Sequence, residues 1–184
     1  MKRFFCCLFA IVAIFTFTSE GREKPNILFV LFDDMGYGEP TSYRPTSLFK
    51  TPNIDRMAKE GMRFTDAHSS AASCTPTRYG FLTGRYPHRI GQFGVLSTFS
   101  PPLIPDTRLT IASYLKRNGY TTACIGKWHL GMNWDRPKTK GKNKTKEKLK
   151  IGEKMTGGPN AIGFEYFYRF THARNFQSVI EQDT

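Results

Sequence analysis

Cys74-Thr75-Pro76-Thr77-Arg78 places a thiol just ahead of a helix start and a guanidinium about one turn further on. Thr75 is expected to cap that helix, and Pro76 suits its first position, where a missing N–H costs nothing. Gly84 reads as the stop. A group at position 74 would then sit where unsatisfied N–H groups and the helix dipole favour negative charge, with Arg78 leaning toward the same anion. Two further sets of residues carry chemistry. Asp33 and Asp34 are adjacent carboxylates that repel each other unless water or a cation screens them; oxygen-only donors suit Ca²⁺ or Mg²⁺ better than zinc. Lys127 and His129 stand two apart, so in an extended segment they point the same way. One cation and one titratable imidazole would face a common anion, with Trp128 packed on the other side. Each set read alone also fits a plainer role: a solvated acidic loop, surface basic groups, or one structural disulfide between Cys74 and Cys124.

The elements that would position these groups alternate strand and helix. Ile27 to Phe32 is an unbroken apolar run, the pattern of a strand buried on both faces. It delivers Asp33 and Asp34 at its C-terminal end, where open α/β sheets place their ligands. Thr51-Pro52 opens a helix with Ile54, Met57 and Ala58 on one face and Gly61 closing it; residues 62–68 read as a second, shorter strand. After the helix at Cys74, Thr110 caps another that turns Ile111, Ala112 and Leu115 inward and ends at Gly119. Tyr120 to Ile125 is β-rich and leads into Gly126-Lys127-Trp128-His129-Leu130-Gly131. Beyond a lysine-rich loop, Phe164-Glu165-Tyr166-Phe167 precedes a helical pattern over about 172–182. The alternation predicts an α/β layered fold.

Composition narrows the setting. The chain has 184 residues, 16 of them phenylalanine, and a formal charge of +12. Lys2 and Arg3 precede an apolar, uncharged run from Phe4 to Phe17, and Ser19-Glu20-Gly21 offers a small-x-small cleavage site. Residues 1–21 are therefore expected to be a cleaved signal peptide, too short to span a bilayer comfortably. That predicts an exported protein (periplasmic, secreted or lumenal) with no stable membrane insertion after cleavage. Cys6 and Cys7 would leave with the signal, so Cys74 and Cys124 remain. The basicity is local: residues 136–154 hold nine Lys/Arg against Glu147 and Glu153. A solvated, flexible insert is one reading of that run, and a patch that draws in polyanions such as sulfated glycans is the other. For an exported chain with no recognisable nucleic-acid reading motif, nucleic acid is not the expected partner. Asn143-Lys144-Thr145 is a glycosylation sequon, meaningful only in a eukaryotic secretory route.

The chain resembles the type I sulfatases, the arylsulfatase-like, formylglycine-dependent family. Asp33-Asp34-Met35-Gly36-Tyr37-Gly38 matches the family's metal motif. Cys74-x-Pro76-x-Arg78 matches its modification pattern, extended by Thr83-Gly84-Arg85-Tyr86-Pro87-His88-Arg89, and Gly126 to Gly131 resembles its second block. The resemblance runs from about Pro25 to Trp134 and resumes weakly near Gly163-Phe164-Glu165. It implies an alkaline-phosphatase-like layered fold with a largely parallel central sheet flanked by helices. By the same resemblance, a maturation enzyme oxidises Cys74 to formylglycine, whose hydrate attacks sulfur. Asp33, Asp34 and residue 74 hold Ca²⁺ or Mg²⁺; Arg78 and Lys127 hold the sulfate, Arg78 also the diol; and His129 contacts the hydrated formylglycine or the sulfate. Arg85, His88 and Arg89 are read as structural or at the rim, His68 and His172 as packing or surface residues.

The family also draws an Asp/Asn metal pair, a histidine and a lysine from later sequence, and no such block follows residue 135; Asp183 lacks the pattern. The expectation is therefore that residues 22–184 are the N-terminal part of a sulfatase catalytic domain, binding metal weakly and turning over little alone. The implied function is sulfate ester cleavage on a small molecule or glycan. The alternatives are a phosphodiesterase or phosphonate monoester hydrolase of the same superfamily, or a non-catalytic remnant that binds sulfated glycans. A cysteine-dependent phosphatase is the weakest, because its loop needs a longer arginine spacing and a histidine ahead of the cysteine.

Overall fold

A computed structural model describes residues 23–97, 99–134, 155–170 and 179–181. The chain forms two compact units, Met1–Gly36 and Tyr37–Thr184. The expected signal peptide over 1–21, the basic run over 136–154 with its sequon, Asp183 and His172 all lie outside the described residues.

In the first unit the expected strand is absent. Ile27 to Phe32 runs without regular structure, and its side chains are 40–88% exposed. An apolar run states a tendency to bury, but a strand exists only when another backbone takes up its N–H and C=O groups. Among the described residues, the run joins none of the paired strands. The run ends in a bend at Asp33 and Asp34, both exposed, with Asp34 in the left-handed region at φ 64. Aspartate is among the few residues that tolerate that conformation.

The second unit holds the regular elements. Helix α1 is Pro52–Glu60, started by proline at its first turn and closed at Gly61. Ile54 and Ala58 are half-buried as expected, but Met57 is exposed, so only a narrow stripe of α1 is covered. Residues 62–68 form no strand and are exposed, a second correction. Helix α2 is Cys74–Thr83, and Gly84 closes it at φ 64 while its N–H donates to the Gly80 carbonyl at 2.9 Å. Helix α3 is Ile111–Arg117. Its cap is Thr110, whose hydroxyl accepts from the Ser113 N–H while the Ser113 hydroxyl accepts from the Thr110 N–H. Ala112 turns inward and Leu115 is half-buried, but Ile111 is 41% exposed, against expectation.

Strand β1 is Ala123–Lys127, starting three residues later than the β-rich pattern suggests and continuing through Gly126. Short strands β2, Asn133–Trp134, and β3, Met155–Thr156, pair antiparallel. Strand β4, Tyr166–Phe170, lies parallel to β1, and β5, Val179–Glu181, lies antiparallel to β4. The helical pattern over 172–182 is thus overturned where the chain is described, because β4 offers residues 179–181 a free edge.

Strand alternation sorts the sheet faces. Phe167 is 1% exposed and Cys124 packs against the core, while Ile125, opposite Tyr168, is 74% exposed. The core gathers Tyr79 and Leu82 of α2, Ile104, Trp128, Leu130, Met132, Met155, Ile162 and Phe167. It therefore joins α2 to the segment that leaves β1. Trp128 sits edge-on to Phe164 at 6.5 Å and donates its indole N–H to the Gly131 carbonyl at 2.9 Å.

Candidate active site

Cys74 is the first residue of α2, half-buried, behind an extended Ser73 that serves as the cap position. No disulfide joins Cys74 and Cys124, which removes that reading. Thr75 is not the cap. It is completely buried and donates its hydroxyl to the His129 carbonyl at 2.7 Å, across 54 residues of sequence. The same oxygen accepts the Leu96 N–H at 3.1 Å. Cap chemistry requires a hydroxyl to turn back on its own helix; here a better partner lies outside it.

Arg78 donates from Nη1 to the Lys127 carbonyl. A guanidinium carries five N–H donors, and one is committed to anchoring α2 on the end of β1. The arginine thus does more than lean toward position 74. Two side chains from the first turn and a half of α2, Thr75 and Arg78, reach the main chain at His129 and Lys127. Four sequence-predicted residues, Cys74, Arg78, Lys127 and His129, are thereby tied into one neighbourhood.

The chain does not stay extended through that neighbourhood. His129 has φ 57, so strand alternation fails at this residue. Lys127 closes β1 half-buried, whereas His129 is 3% exposed, its Nε2 at 2.8 Å from the Leu96 carbonyl. Histidine tolerates the left-handed region better than most side chains, and the hydrogen bonds at its carbonyl and ring hold it there. Gly131 follows at φ 73, where an added Cβ would lie 2.0 Å from the Pro101 carbonyl oxygen.

Leu96 and Thr75 are the members of this arrangement that sequence reasoning missed. Leu96 contributes only its main chain, which leaves no signature in residue type. Thr75 left one faint signal: a hydroxyl at a position the helix then buries needs a partner.

Asp33 and Asp34 belong to the first unit, at the bend described above. Among the described residues, no three His, Cys, Asp or Glu side chains form a cluster suited to a metal ion. The donor type of the aspartate pair fits a hard cation. Its number does not fill a shell of about six or more oxygens, so other ligands would have to complete it.

A separate groove of about 460 Å³ lies between α1 and the preceding loop, lined by Thr41, Ser42, Pro45, Asp55, Ala58, Lys59 and Arg63. None of the predicted site residues lines it. Asp55 is bonded there by the Thr41 hydroxyl, the Ser42 N–H at 2.7 Å and the Thr51 hydroxyl at 3.2 Å. The Thr41 hydrogen bond, aided by those from Ser42 and Thr51, holds its carboxyl below the ordinary value despite partial burial. Within the extended signature, Pro87–Ile90 is a 3₁₀ turn, and Tyr86 stacks on His88 at 5.3 Å.

Cys74 and Arg78 at the start of α2 meet the end of β1, a strand parallel to β4, an arrangement of the α/β class. Comparison with known proteins narrows the class. The sulfatase family model matches residues 25–182, and the chain belongs to the sulfatase family. It is 37% identical over 147 residues to an N-acetylgalactosamine-6-O-sulfatase of Bacteroides thetaiotaomicron, covering 80% of this chain and 26% of that protein. It is 45% identical over 121 residues to the steryl-sulfatase of Homo sapiens, covering 62% of this chain and 21% of that one. A solved sulfatase from a study of glycosaminoglycan metabolism by Bacteroides thetaiotaomicron superposes with a TM-score of 0.69 at 32% identity, over 86% of this chain and 31% of the other. The chain thus spans about a quarter of the length of the curated relatives it matches. The fold is the alkaline-phosphatase-like α/β fold of these proteins, of which the described helices and the parallel β1–β4 pair form a small part.

Proposed function

We propose that the protein is a sulfuric ester hydrolase whose reacting group is made from Cys74. The observation that carries this reading is the double tie from α2 to the main chain at Lys127 and His129. It supports a single anion site built from the start of a helix and the end of a strand. Oxidised to formylglycine by a maturation enzyme, Cys74 would supply a hydrated aldehyde as nucleophile. Asp33 and Asp34 would supply oxygen donors to a Ca²⁺ or Mg²⁺ ion, which adds Lewis acidity.

The remaining work belongs to the chain's own side chains. Lys127 and Arg78 neutralise oxygens of the transferring sulfuryl group, and fixed charges in a shielded site do this without reorganisation. His129 hydrogen-bonds or exchanges a proton with the group at residue 74. With water, the S–O bond of the ester breaks, and alcohol and sulfate leave. The substrate is a sulfated small molecule or glycan, and similarity to relatives named for an amino-sugar sulfate and for steryl and aryl sulfates supports that class. The basic leader supports export with cleavage after residue 21.

Rates on an aryl sulfate and on an aryl phosphate diester test this reading. The full-length gene product, co-expressed with a formylglycine-generating enzyme, is expected to favour the sulfate. A dominant diesterase rate would assign the protein to the phosphodiesterase branch of the superfamily instead.

A further inference from the structure

Three segments close a hydrogen-bond ring beside Cys74. The Thr75 hydroxyl donates to the His129 carbonyl at 2.7 Å, the Leu96 N–H donates to the Thr75 hydroxyl oxygen at 3.1 Å, and the His129 ring meets the Leu96 carbonyl through Nε2 at 2.8 Å. Thr75 is fully buried and His129 nearly so, at 3% exposed. Water therefore has little access to compete for these bonds. The direction of the last bond is fixed by chemistry. A carbonyl oxygen only accepts, so Nε2 carries the proton and, in the neutral ring, the lone pair resides on Nδ1.

We propose that Thr75 is a positioning residue, which acts through Leu96 to hold His129 as its Nε2–H tautomer and so assigns proton exchange with residue 74 to Nδ1. Only the last clause rests on the sulfatase reading above. The ring itself works as outer-shell partners do for other functional histidines, fixing both tautomer and ring orientation through the nitrogen that is not used. Thr75 is suited to the task because one hydroxyl donates and accepts at once, bridging the two main-chain segments that clamp the imidazole. The left-handed backbone at His129, φ 57, turns its carbonyl toward α2 while the ring reaches Leu96.

Nitrogen NMR of the histidine-labelled chain, above the imidazole titration, reads the tautomer directly, with His129→Asn assigning the signal. The wild-type ring is expected in the Nε2–H form, to remain so in Thr75→Ser, and to become a tautomer mixture in Thr75→Val. In the full-length gene product with equal formylglycine content, Thr75→Val should lower kcat by roughly tenfold to a hundredfold, the range for loss of an outer-shell partner. KM should change little, and Thr75→Ser should restore kcat. An Nδ1–H ring in the wild type overturns the proposal even if Thr75→Val fails to fold, as does a folded Thr75→Val with an unchanged tautomer. Failure of the sulfatase reading looks different: the predicted tautomer persists with no aryl sulfate cleavage.

Discussion

His129 shows what single residues could and could not disclose. Its presence two places after Lys127 was legible, because a cation and an imidazole after a strand suit an anion. Its geometry was not, since alternation assumed an extended chain and the backbone turns left-handed at φ 57. Thr75 was misread for a related reason: its hydroxyl serves a carbonyl 54 residues away, which local cap rules do not contain. If Lys127 neutralises the transferring group, Lys127→Ala should lower kcat of the full-length gene product by about 10²–10³, the scale for one lost stabilising donor; an unchanged kcat with raised KM would make it a binding residue only. Asp55 allows a prediction in pH. Its folded carboxyl titrates below the ordinary 3.8, so its contribution is complete above that value and is lost as pH falls through the folded pKa. Thermal melting of wild type and Asp55→Asn should therefore differ at neutral pH and converge in acid. A constant gap across that range would show that the Thr41 hydrogen bond does not depend on the charge.

At the scale of elements, helix ends were the most readable features. Thr51-Pro52 and Gly61 bound α1, Thr110 caps α3, and Gly84 closes α2, because starts and stops are written in residues within one turn of them. Strands were less so. The run Ile27 to Phe32 is apolar enough for a buried strand yet forms no strand among the described residues, and residues 179–181 pair with β4 despite a helical pattern. Pairing is decided by partners distant in sequence, and no periodicity within five residues encodes them. The turn after His129 is the element on which the site depends. Gly131→Ala combines φ 73 with a Cβ 2.0 Å from the Pro101 oxygen, so the 129–132 segment must shift. Chemical denaturation should show a loss on the order of 1–3 kcal/mol, the cost typical of a strained backbone position. Full stability in that variant would mean the turn has freedom the structure does not show.

For the whole molecule, sequence blocks and fold agree on the family, while the described sheet has three strands and leaves Ile125 exposed beside Tyr168. The chain spans about a quarter of the length of the relatives it matches, and the features legible in its sequence are those confined to one block each. Among the described residues no helix is long and apolar enough to cross a membrane. The account turns on what Cys74 becomes. Peptide mass spectrometry of the chain co-expressed with a formylglycine-generating enzyme is the most direct measurement. It should find an aldehyde at residue 74 that a hydrazine probe captures, and Arg78→Ala should reduce its yield; a fully reduced thiol at Cys74 in the wild type would contradict the account.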